Sequence, residues 1–177
     1  MDGQPDPGLL GRFVEGDPEA FEALFRQFQA ETGRWILRIV RDASASEDVL
    51  VETFWRAHRA RARYDPARSF GAWLRRIATN AALDHLARLR RQPETSPVPP
   101  EELASEATDR DLIPAITKAF STLSPRLQVV ATLVLVEQLP LAEVAVALGL
   151  PVGTVKSRLC RASALLRERL LRMGIRP

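Results

Sequence analysis

Apolar residues recur three and four positions apart along most of this chain, which is the spacing of amphipathic helices. The pattern becomes sustained after Asp17 and Pro18, a capping acid followed by a residue that fits the first turn of a helix. The large apolar positions of this predicted helix are Phe21, Leu24, Phe25, Phe28, Trp35, Ile36 and Val40. We therefore expect the first helix to begin at Asp17 and to bury one long face, with residues 1–16 forming a tail.

Two further helices are predicted in the first half of the chain. One opens at residues 44–47, where a serine and a glutamate have the spacing of a capping box, and it ends between residues 58 and 61. The other spans residues 70–91. Residues 63–69 lie between the two helices and contain an Asp-Pro step, which disfavours helix and predicts a turn.

The composition changes after residue 91, where four prolines stand close together among Glu, Ser and Thr. This predicts a Pro-rich acidic linker over residues 92–111. Helical spacing then returns at Leu112, Ile113, Ile116 and Phe120 and, after Ser124-Pro125, at Leu127, Val130, Leu133 and Val134. No stretch alternates as a strand does, so we expect an all-α fold of two small helical domains, 17–91 and 112–172, with a C-terminal tail at 173–177.

The stretch 141–161 predicts a helix-turn-helix. Leu141, Val144, Ala145 and Leu148 have helical spacing, and a tight corner follows at residues 149–151, which read Gly-Leu-Pro. The stripe expected to be buried on the second helix comprises Val152, Val155, Leu159, Ala162 and Leu166. The side chains left pointing outward are Thr154, Lys156, Ser157, Arg158 and Arg161, which are suited to DNA base edges and phosphates. The alternative is a basic helix that is merely solvated.

Charge is segregated along the chain, although the formal net charge is only +3. Residues 61–91 carry eight arginines against two acids, residues 92–111 carry six acids against one arginine, and residues 151–177 carry seven cations against Glu168. Such blocks indicate separate surfaces with separate partners, and the basic ones are suited to nucleic acid.

The residues that carry chemistry do not predict an enzyme. The single cysteine, Cys160, cannot form an internal disulfide, and His58 and His85 are not placed with it at metal-ligand spacing. No phosphate-binding glycine loop or serine nucleophile turn is present. No apolar segment of signal or membrane-spanning length occurs, so we expect a cytoplasmic protein without catalytic residues, metal or cofactor.

Two independent sets of residues form motifs in the two halves of the chain. The first set is EDVLVETF at 47–54, YDP at 64–66, FGAWL at 70–74 and IATN at 77–80 with Asp84. The second set is LSPR at 123–126, PVGTVKSRL at 151–159 and Arg161-Ala162. These sets resemble region 2 and region 4 of the extracytoplasmic-function sigma factors of bacterial RNA polymerase. The resemblance implies a factor that directs core polymerase to promoters and helps to open the −10 element. A helix-turn-helix regulator that acts on duplex DNA without polymerase is the alternative.

The resemblance also implies partners. These are promoter DNA, the clamp helices of the largest polymerase subunit and, from the family alone, an anti-sigma factor; no insertion into a membrane is expected. The acidic linker resembles the segment that in this family threads through the active-site and RNA-exit channel of the polymerase. Its charge and prolines equally describe a disordered tether.

The residues implied in core binding are Asp48, Val51, Glu52 and Trp55 on the second predicted helix. Asp48 and Glu52 are four positions apart, where like charges repel, so a basic partner should meet them. An ordinary solvated face, relieved by Arg56 one turn further on, is the alternative. Relatives commonly place glutamine where this chain has Val51.

The residues implied in capturing an unpaired base of the −10 element lie within about twenty positions of one another: Arg61, Arg63, Tyr64, Arg68, Phe70, Trp73, Arg76 and Asn80. Aromatic rings stack on bases, and cations hold the backbone. Phe70 and Trp73 share a helical face with apolar neighbours, so Trp73 can equally belong to the core. Asn80 and Asp84 can instead form a polar pair that orients the helix.

The residues implied in −35 recognition are Thr154, Lys156, Ser157, Arg158, Cys160 and Arg161. Two outward faces of the helix compete, one with Thr154 and Arg158 and one with Lys156 and Cys160; Ser157 and Arg161 belong to both. These two shared residues are the candidates for base edges, and Lys156 and Arg158 are the candidates for phosphates. Cys160 is expected to be a small packing residue, with a thiol sensor as the alternative.

Overall fold

The computed structural model describes residues 4–91 and 109–175, without the side chains of 109–111. Within those ranges every regular element is helical, which confirms the predicted fold class. The α-helices are α1 (Pro7–Glu15), α2 (Pro18–Val40), α3 (Ala43–Ala60), α4 (Phe70–Leu89), α5 (Asp109–Ser121), α6 (Pro125–Ala131), α7 (Leu141–Leu148) and α8 (Val152–Arg172). The predicted linker lies outside the described residues except for 109–111, which open α5.

The chain divides into two compact units. The first comprises the described residues of Met1–Leu86 together with Ala145–Leu150, and the second those of Ala87–Val144 and Pro151–Pro177. The core of the first unit is formed by buried residues from α1 to α4: Leu10, Phe13, Ala20, Leu24, Phe28, Phe54, Ala57, Tyr64, Phe70 and Leu74. Burying so many large apolar side chains is the main source of stability of this unit.

Helix α1 was not predicted, and the expectation of an N-terminal tail before a first helix at Asp17 is corrected. The Asp6 carboxylate accepts a hydrogen bond from the Leu9 N–H at 3.1 Å, and Pro7 occupies the first turn. Leu10 and Phe13 are each 1% exposed. An Asp-Pro step thus opens α1 just as Asp17-Pro18 opens α2, where the Asp17 carboxylate accepts from the Glu19 N–H at 2.8 Å.

Helix α3 begins differently from the prediction. Asp42 caps it, because its carboxylate accepts a hydrogen bond from the Ala45 N–H at 2.7 Å. Ser46 donates its hydroxyl hydrogen to the Asp42 carbonyl at 2.5 Å and is buried. The predicted capping box at 44–47 is therefore wrong: the acid two residues earlier satisfies the helix end first.

The core of the second unit is small and lies between α5, α6 and α8. Its buried residues are Ala119, Leu123, Leu127, Ala131, Ala162 and Leu166. Helix α6 continues as a π-helical turn, Thr132–Val136, in which Thr132 and Leu133 are buried. In α5 the predicted apolar face is only partly used, since Ile113 and Ile116 are exposed and Ala119 is buried instead.

The predicted helix-turn-helix order is confirmed. Helix α7 ends at Leu148, Gly149 takes a left-handed φ of 63°, and α8 begins at Val152. Val155, Ala162 and Leu166 form the buried stripe of α8, as predicted. Val152 was predicted to join that stripe but is 48% exposed, because it lies in the first turn. No helix in residues 4–91 or 109–175 has the length and apolarity needed to cross a membrane.

Candidate nucleic-acid interface

Helix α8 presents one fully exposed polar face. Lys156, Ser157, Cys160 and Arg161 are exposed, whereas Thr154 and Arg158 are half-buried. The Ser157 hydroxyl donates to the Thr154 carbonyl at 3.0 Å, so its hydrogen is already engaged within the helix. Of the two faces that the sequence left open, the one with Lys156 and Cys160 is therefore the more accessible. The expectation that Cys160 packs in the interior is wrong, since its thiol is exposed.

A basic cavity adjoins this face. It has a volume of about 590 Å³ and is lined by Ser124, Arg126, Leu127, Ser157, Arg158, Arg161 and Leu165. Three arginines thus line one open hollow, a composition suited to a phosphate of a nucleic-acid backbone. Arg126 was not among the predicted site residues, because its approach to α8 depends on how α6 packs. Its position in the LSPR motif was the available signal.

The segment between α3 and α4 holds the predicted −10 residues, and two of its aromatic rings are buried. Tyr64 is 4% exposed and Phe70 is 1% exposed. Their rings lie 5.4 Å apart, edge to face. In this structure neither ring is open to a base, so the expected stacking role of Tyr64 and Phe70 is corrected to a structural one: they anchor the two ends of the segment in the core.

The cations of this segment are more accessible than its rings. Arg61–Arg63 form one turn of 3₁₀ helix. The side chain of Arg63, at the end of this turn, is exposed, and so is that of Arg68, five residues further along the chain. Arg61 is half-buried and donates to the His58 carbonyl at 2.9 Å. On α4, Arg76 and Asn80 are exposed. The exposed members of the predicted set are thus Arg63, Arg68, Arg76 and Asn80.

Trp73 is half-buried, which fits both roles considered from the sequence: a core residue and a ring on which a base stacks. Its ring lies 4.9 Å from Tyr64, 5.5 Å from Phe70 and 6.3 Å from Phe13. It packs against the core of the first unit on one side and retains accessible surface on the other. Within the predicted set it is the one aromatic ring that remains open for stacking.

Residues 64–69 are shaped by short-range hydrogen bonds. The Tyr64 hydroxyl donates to the Arg68 carbonyl at 2.6 Å, and the Asp65 carboxylate accepts from the Ala67 N–H at 3.0 Å. Burial raises the pKa of Tyr64; a hydrogen bond with Gln4 acts in the opposite direction, and Asp65 adds to the rise. The segment therefore has a defined shape before any ligand binds.

Helix α3 carries a mixed apolar and acidic surface. Val51 is 53% exposed and Trp55 is 56% exposed, one turn apart, with Asp48 exposed beside them. Glu52 is paired with Arg56, whose Nε lies 2.7 Å from its carboxylate. That hydrogen bond is the main reason why the pKa of Arg56 is raised, with Asp84 contributing next among the groups that raise it. The relief by Arg56 considered from the sequence is thus present for Glu52.

Asp84 is the second partner of Arg56, at 2.6 Å. The polar pair considered for Asn80 and Asp84 is therefore replaced by an ion pair between α3 and α4. Phe54, three residues after Val51 on α3, is 3% exposed and belongs to the core.

Comparisons with known proteins match both units. Residues 24–92 match Sigma-70 region 2, and residues 114–166 match Sigma-70 region 4. The chain is 33% identical over 174 residues to the RNA polymerase sigma-H factor of Pseudomonas aeruginosa, covering 90% of each chain. It is 32% identical over 161 residues to the ECF RNA polymerase sigma factor SigM of Mycobacterium tuberculosis, covering 90% of this chain and 81% of the relative. Among solved structures, CnrH in complex with the cytosolic domain of CnrY is similar, with a TM-score of 0.56, 27% identity and coverage of 93% of this chain and 96% of that one.

Proposed function

The chain belongs to the extracytoplasmic-function group of the sigma-70 family, and on that premise we propose how its residues divide the work of a promoter-specific initiation factor. Such a factor directs core RNA polymerase to promoters. The matches to both region 2 and region 4 favour this function over that of a regulator that binds duplex DNA alone. We assign region 2 to residues 17–91, with α1 added, and region 4 to residues 112–172.

The surface assigned to core polymerase is formed by Asp48, Val51, Glu52 and Trp55 on α3. What supports it is the pair of large apolar side chains that lie exposed one turn apart beside acidic groups. Tryptophan is enriched near the centres of protein–protein interfaces, and polar groups are typical of their rims. The partner proposed is the clamp helices of the largest polymerase subunit, whose basic groups would meet Asp48. Among described residues, no ion pair to Asp48 is formed within the chain.

The surface assigned to the −10 element follows from what is accessible. Arg63, Arg68 and Arg76 would hold backbone phosphates, Asn80 would contact a base edge or sugar, and Trp73 would offer the ring on which an unpaired base stacks. Stacking supplies roughly 1–3 kcal/mol per base, which only balances the few kcal/mol lost in unstacking. Opening of the promoter therefore requires the polymerase, and this chain alone should open little or no DNA.

The surface assigned to the −35 element lies on α8. Ser157 and Arg161 would meet base edges in the major groove, with Lys156 and Thr154 beside them. The cavity lined by Arg126, Arg158 and Arg161 supports this assignment, because it offers a basic surface beside the helix to a phosphate of the DNA backbone. Cys160 lies on the same exposed face and would sit close to DNA.

A restraining partner is also proposed. The similar chain CnrH was solved in complex with the cytosolic domain of CnrY, a second protein. We propose that this chain likewise binds an anti-sigma factor, which would compete with core polymerase for the first unit, the second unit or both. The expected cytoplasmic location belongs to the same proposal.

Run-off transcription by purified core polymerase with and without this chain tests the function. A library of promoter fragments with randomised −35 and −10 positions, each with its own barcode downstream of the start site, supplies the templates, and the barcodes recovered in the RNA identify the promoters that were used. A specific transcript that requires both proteins supports the proposal. Absence of any enriched promoter, although the chain binds core polymerase, would overturn it. Protection of duplex DNA by the chain alone, with no binding to the polymerase, would support the duplex regulator instead.

A further inference from the structure

Gln4 reaches across the first unit and holds both ends of residues 64–70. Its side-chain NH₂ donates to the Arg68 carbonyl at 3.2 Å and makes a longer contact of 3.5 Å with the Tyr64 hydroxyl. Its side-chain carbonyl accepts from the Phe70 N–H at 3.2 Å. Gln4 is thus separated from its partners by 60 to 66 positions in the sequence and yet joined to them in space.

The chemistry of this contact requires an amide. One end of the side chain accepts from a backbone N–H, and the other donates to a backbone carbonyl, which neither a carboxylate nor an ammonium group can do together. Phe70 is the first residue of α4, so its N–H has no partner within the helix. The N–H of Ala72, the third residue of α4, has a partner in Ser69, whose hydroxyl oxygen accepts it at 3.3 Å. Gln4 therefore completes the start of α4 from outside.

The segment that Gln4 holds has few other attachments. Residues 65–69 are all exposed, while Tyr64 before them and Phe70 after them are buried. The exposed backbone is fixed by the local turn at Asp65 and by the bonds that end on Arg68. The Arg68 carbonyl accepts from both Tyr64 and Gln4, so this carbonyl is the point at which the segment is tied down.

The position of Gln4 is itself fixed by α1. Pro5 is buried, and Phe13 inserts from α1 against Phe70, with ring centroids 5.6 Å apart and planes at 89°. Phe13 also lies 6.3 Å from Trp73. The region 2 match begins only at residue 24, so this N-terminal segment lies outside the residues that the family comparison covers.

We infer that Gln4 is a positioning residue for reading of the −10 element. It does not touch DNA but holds residues 64–70 in the shape that presents Arg63, Arg68 and Trp73 to the unpaired strand. The inference rests on the proposed function, because it concerns the same surface. It adds the N-terminal segment to the machinery that selects promoters.

The test is binding of a fluorescent single strand, the non-template −10 strand of the strongest promoter from the library, to holoenzyme made with the full chain. Gln4→Met keeps the length of the side chain and removes its hydrogen bonds. We expect about three- to tenfold weaker binding of the strand, the range that a neutral hydrogen bond supports. Affinity for core polymerase and for −35 duplex should stay unchanged. The matched control is Gln27→Met on the exposed face of α2, which should bind the strand as the unaltered chain does.

Two readouts separate positioning from direct contact and from general damage. Because Gln4 is uncharged and releases no counterion, Gln4→Met should leave the salt dependence of strand binding unchanged, whereas Arg63→Ala should lower its slope by about one unit. Amide hydrogen exchange at Phe70 in the full chain should become faster in Gln4→Met, with exchange in α2 unchanged.

Unchanged strand binding or unchanged exchange at Phe70 would overturn the inference. Equal losses of strand, core and duplex binding would overturn it too, since they would indicate a damaged fold. If the unaltered holoenzyme fails to bind the −10 strand although it contains the chain, the proposed function of this surface fails, and the inference fails with it.

Discussion

Arg56 joins α3 to α4 through Asp84, with 2.6 Å between its Nη1 and Oδ2 of the carboxylate. The same guanidinium holds Glu52 through Nε at 2.7 Å, so one cation serves an acid on each helix. The residue that links α3 to α4 by an ion pair is therefore also the one that neutralises an acid of the proposed polymerase surface.

Replacing this cation tests the network. Arg56→Met should lower the free energy of unfolding by about 1 kcal/mol, a modest amount because the Asp84 side chain is 58% exposed and water weakens the pair. Urea unfolding measures the change. Arg59→Met is the control, since Arg59 lies 3.6 Å from Glu52 and is 68% exposed; it should cost less than about 0.5 kcal/mol. Equal effects of the two substitutions would contradict the special position of Arg56.

Alkaline pH should destabilise the first unit through Tyr64. Burial raises the pKa of this phenol above its usual value near 10. Because the folded pKa is the higher one, the protonated phenol stabilises the fold below pH 10, and this contribution is lost as the pH rises through the folded pKa. The free energy of unfolding should therefore fall above about pH 10.

The composition allows the titration of Tyr64 to be measured directly. Tyr64 is the only tyrosine, so the ultraviolet absorbance of phenolate reports on it alone, and lysine occurs only at 118 and 156. Tyr64→Phe should be less stable at neutral pH by about 1 kcal/mol, through loss of the bond to Arg68, but should show a shallower alkaline fall. Parallel curves for the two proteins would show that Tyr64 is not the titrating group.

Trp55 should dominate the binding of core polymerase. Trp55→Ala is expected to weaken binding by about 2–4 kcal/mol, as buried aromatic anchors of interfaces do. The melting temperature should hardly change, because the ring is 56% exposed in the free chain. Leu37→Ala, which removes a 44% exposed side chain from α2, should affect neither quantity. A fall in stability without loss of binding would place Trp55 in the fold rather than in the interface.

Arg161 should carry sequence discrimination at the −35 element. Arg161→Ala is expected to cost about 1–3 kcal/mol on the preferred duplex and to relax the base preference, with core binding intact. Arg126→Ala provides the contrast. It should weaken binding evenly across sequences and lower the salt slope by about one unit, because Arg126 lines the cavity from α6, outside the proposed recognition helix, and is expected to contact phosphate rather than bases. Loss of core binding by Arg161→Ala would show that the residue is misassigned.

Helix α1 should contribute directly to the stability of the first unit. Phe13→Ala is expected to cost about 3–5 kcal/mol, since it empties the space between Phe21, Phe70 and Trp73. Gly11→Ala in the same helix should stabilise by about 0.5–1 kcal/mol, because a Cβ there meets nothing within 4 Å. Both are measured by urea unfolding. A neutral Phe13→Ala would mean that α1 is dispensable.

Most helices were predictable because burial imposes a period on the sequence. The long apolar face of α2 and the glycine corner before α8 are readable without coordinates. Helix α1 was not predicted from the sequence, because it is short and supplies only Leu10 and Phe13 as fully buried residues. Its Asp-Pro start nevertheless repeats that of α2. Ile113 shows the converse, since it has helical spacing but its side chain is 74% exposed. Helical spacing therefore predicts that a helix forms, but not which of its faces packs against the core.

The candidate sites were predictable as sets of residues and less so as surfaces. Residue type and spacing selected Arg161, the family resemblance implied Trp55, and both are exposed. Tyr64 and Phe70 have the chemistry for stacking on bases, and only packing shows that their rings are committed to the core. Arg126 and Gln4 were missed for a related reason, since each acts on residues that are distant in the sequence.

Gly16, in the turn between α1 and α2, lies against the side chain of Arg61 at the C-terminal end of α3. Its φ of 95° already disfavours any side chain, and a Cβ there would stand 3.0 Å from Nε and Nη2 of Arg61. Alanine at this corner would therefore strain the backbone and push aside a guanidinium that is tethered to the His58 carbonyl. Displacing Arg61 would disturb the 3₁₀ turn that it begins. A single added methyl group between α1 and α2 would therefore change the shape of the surface that is proposed to bind the −10 strand.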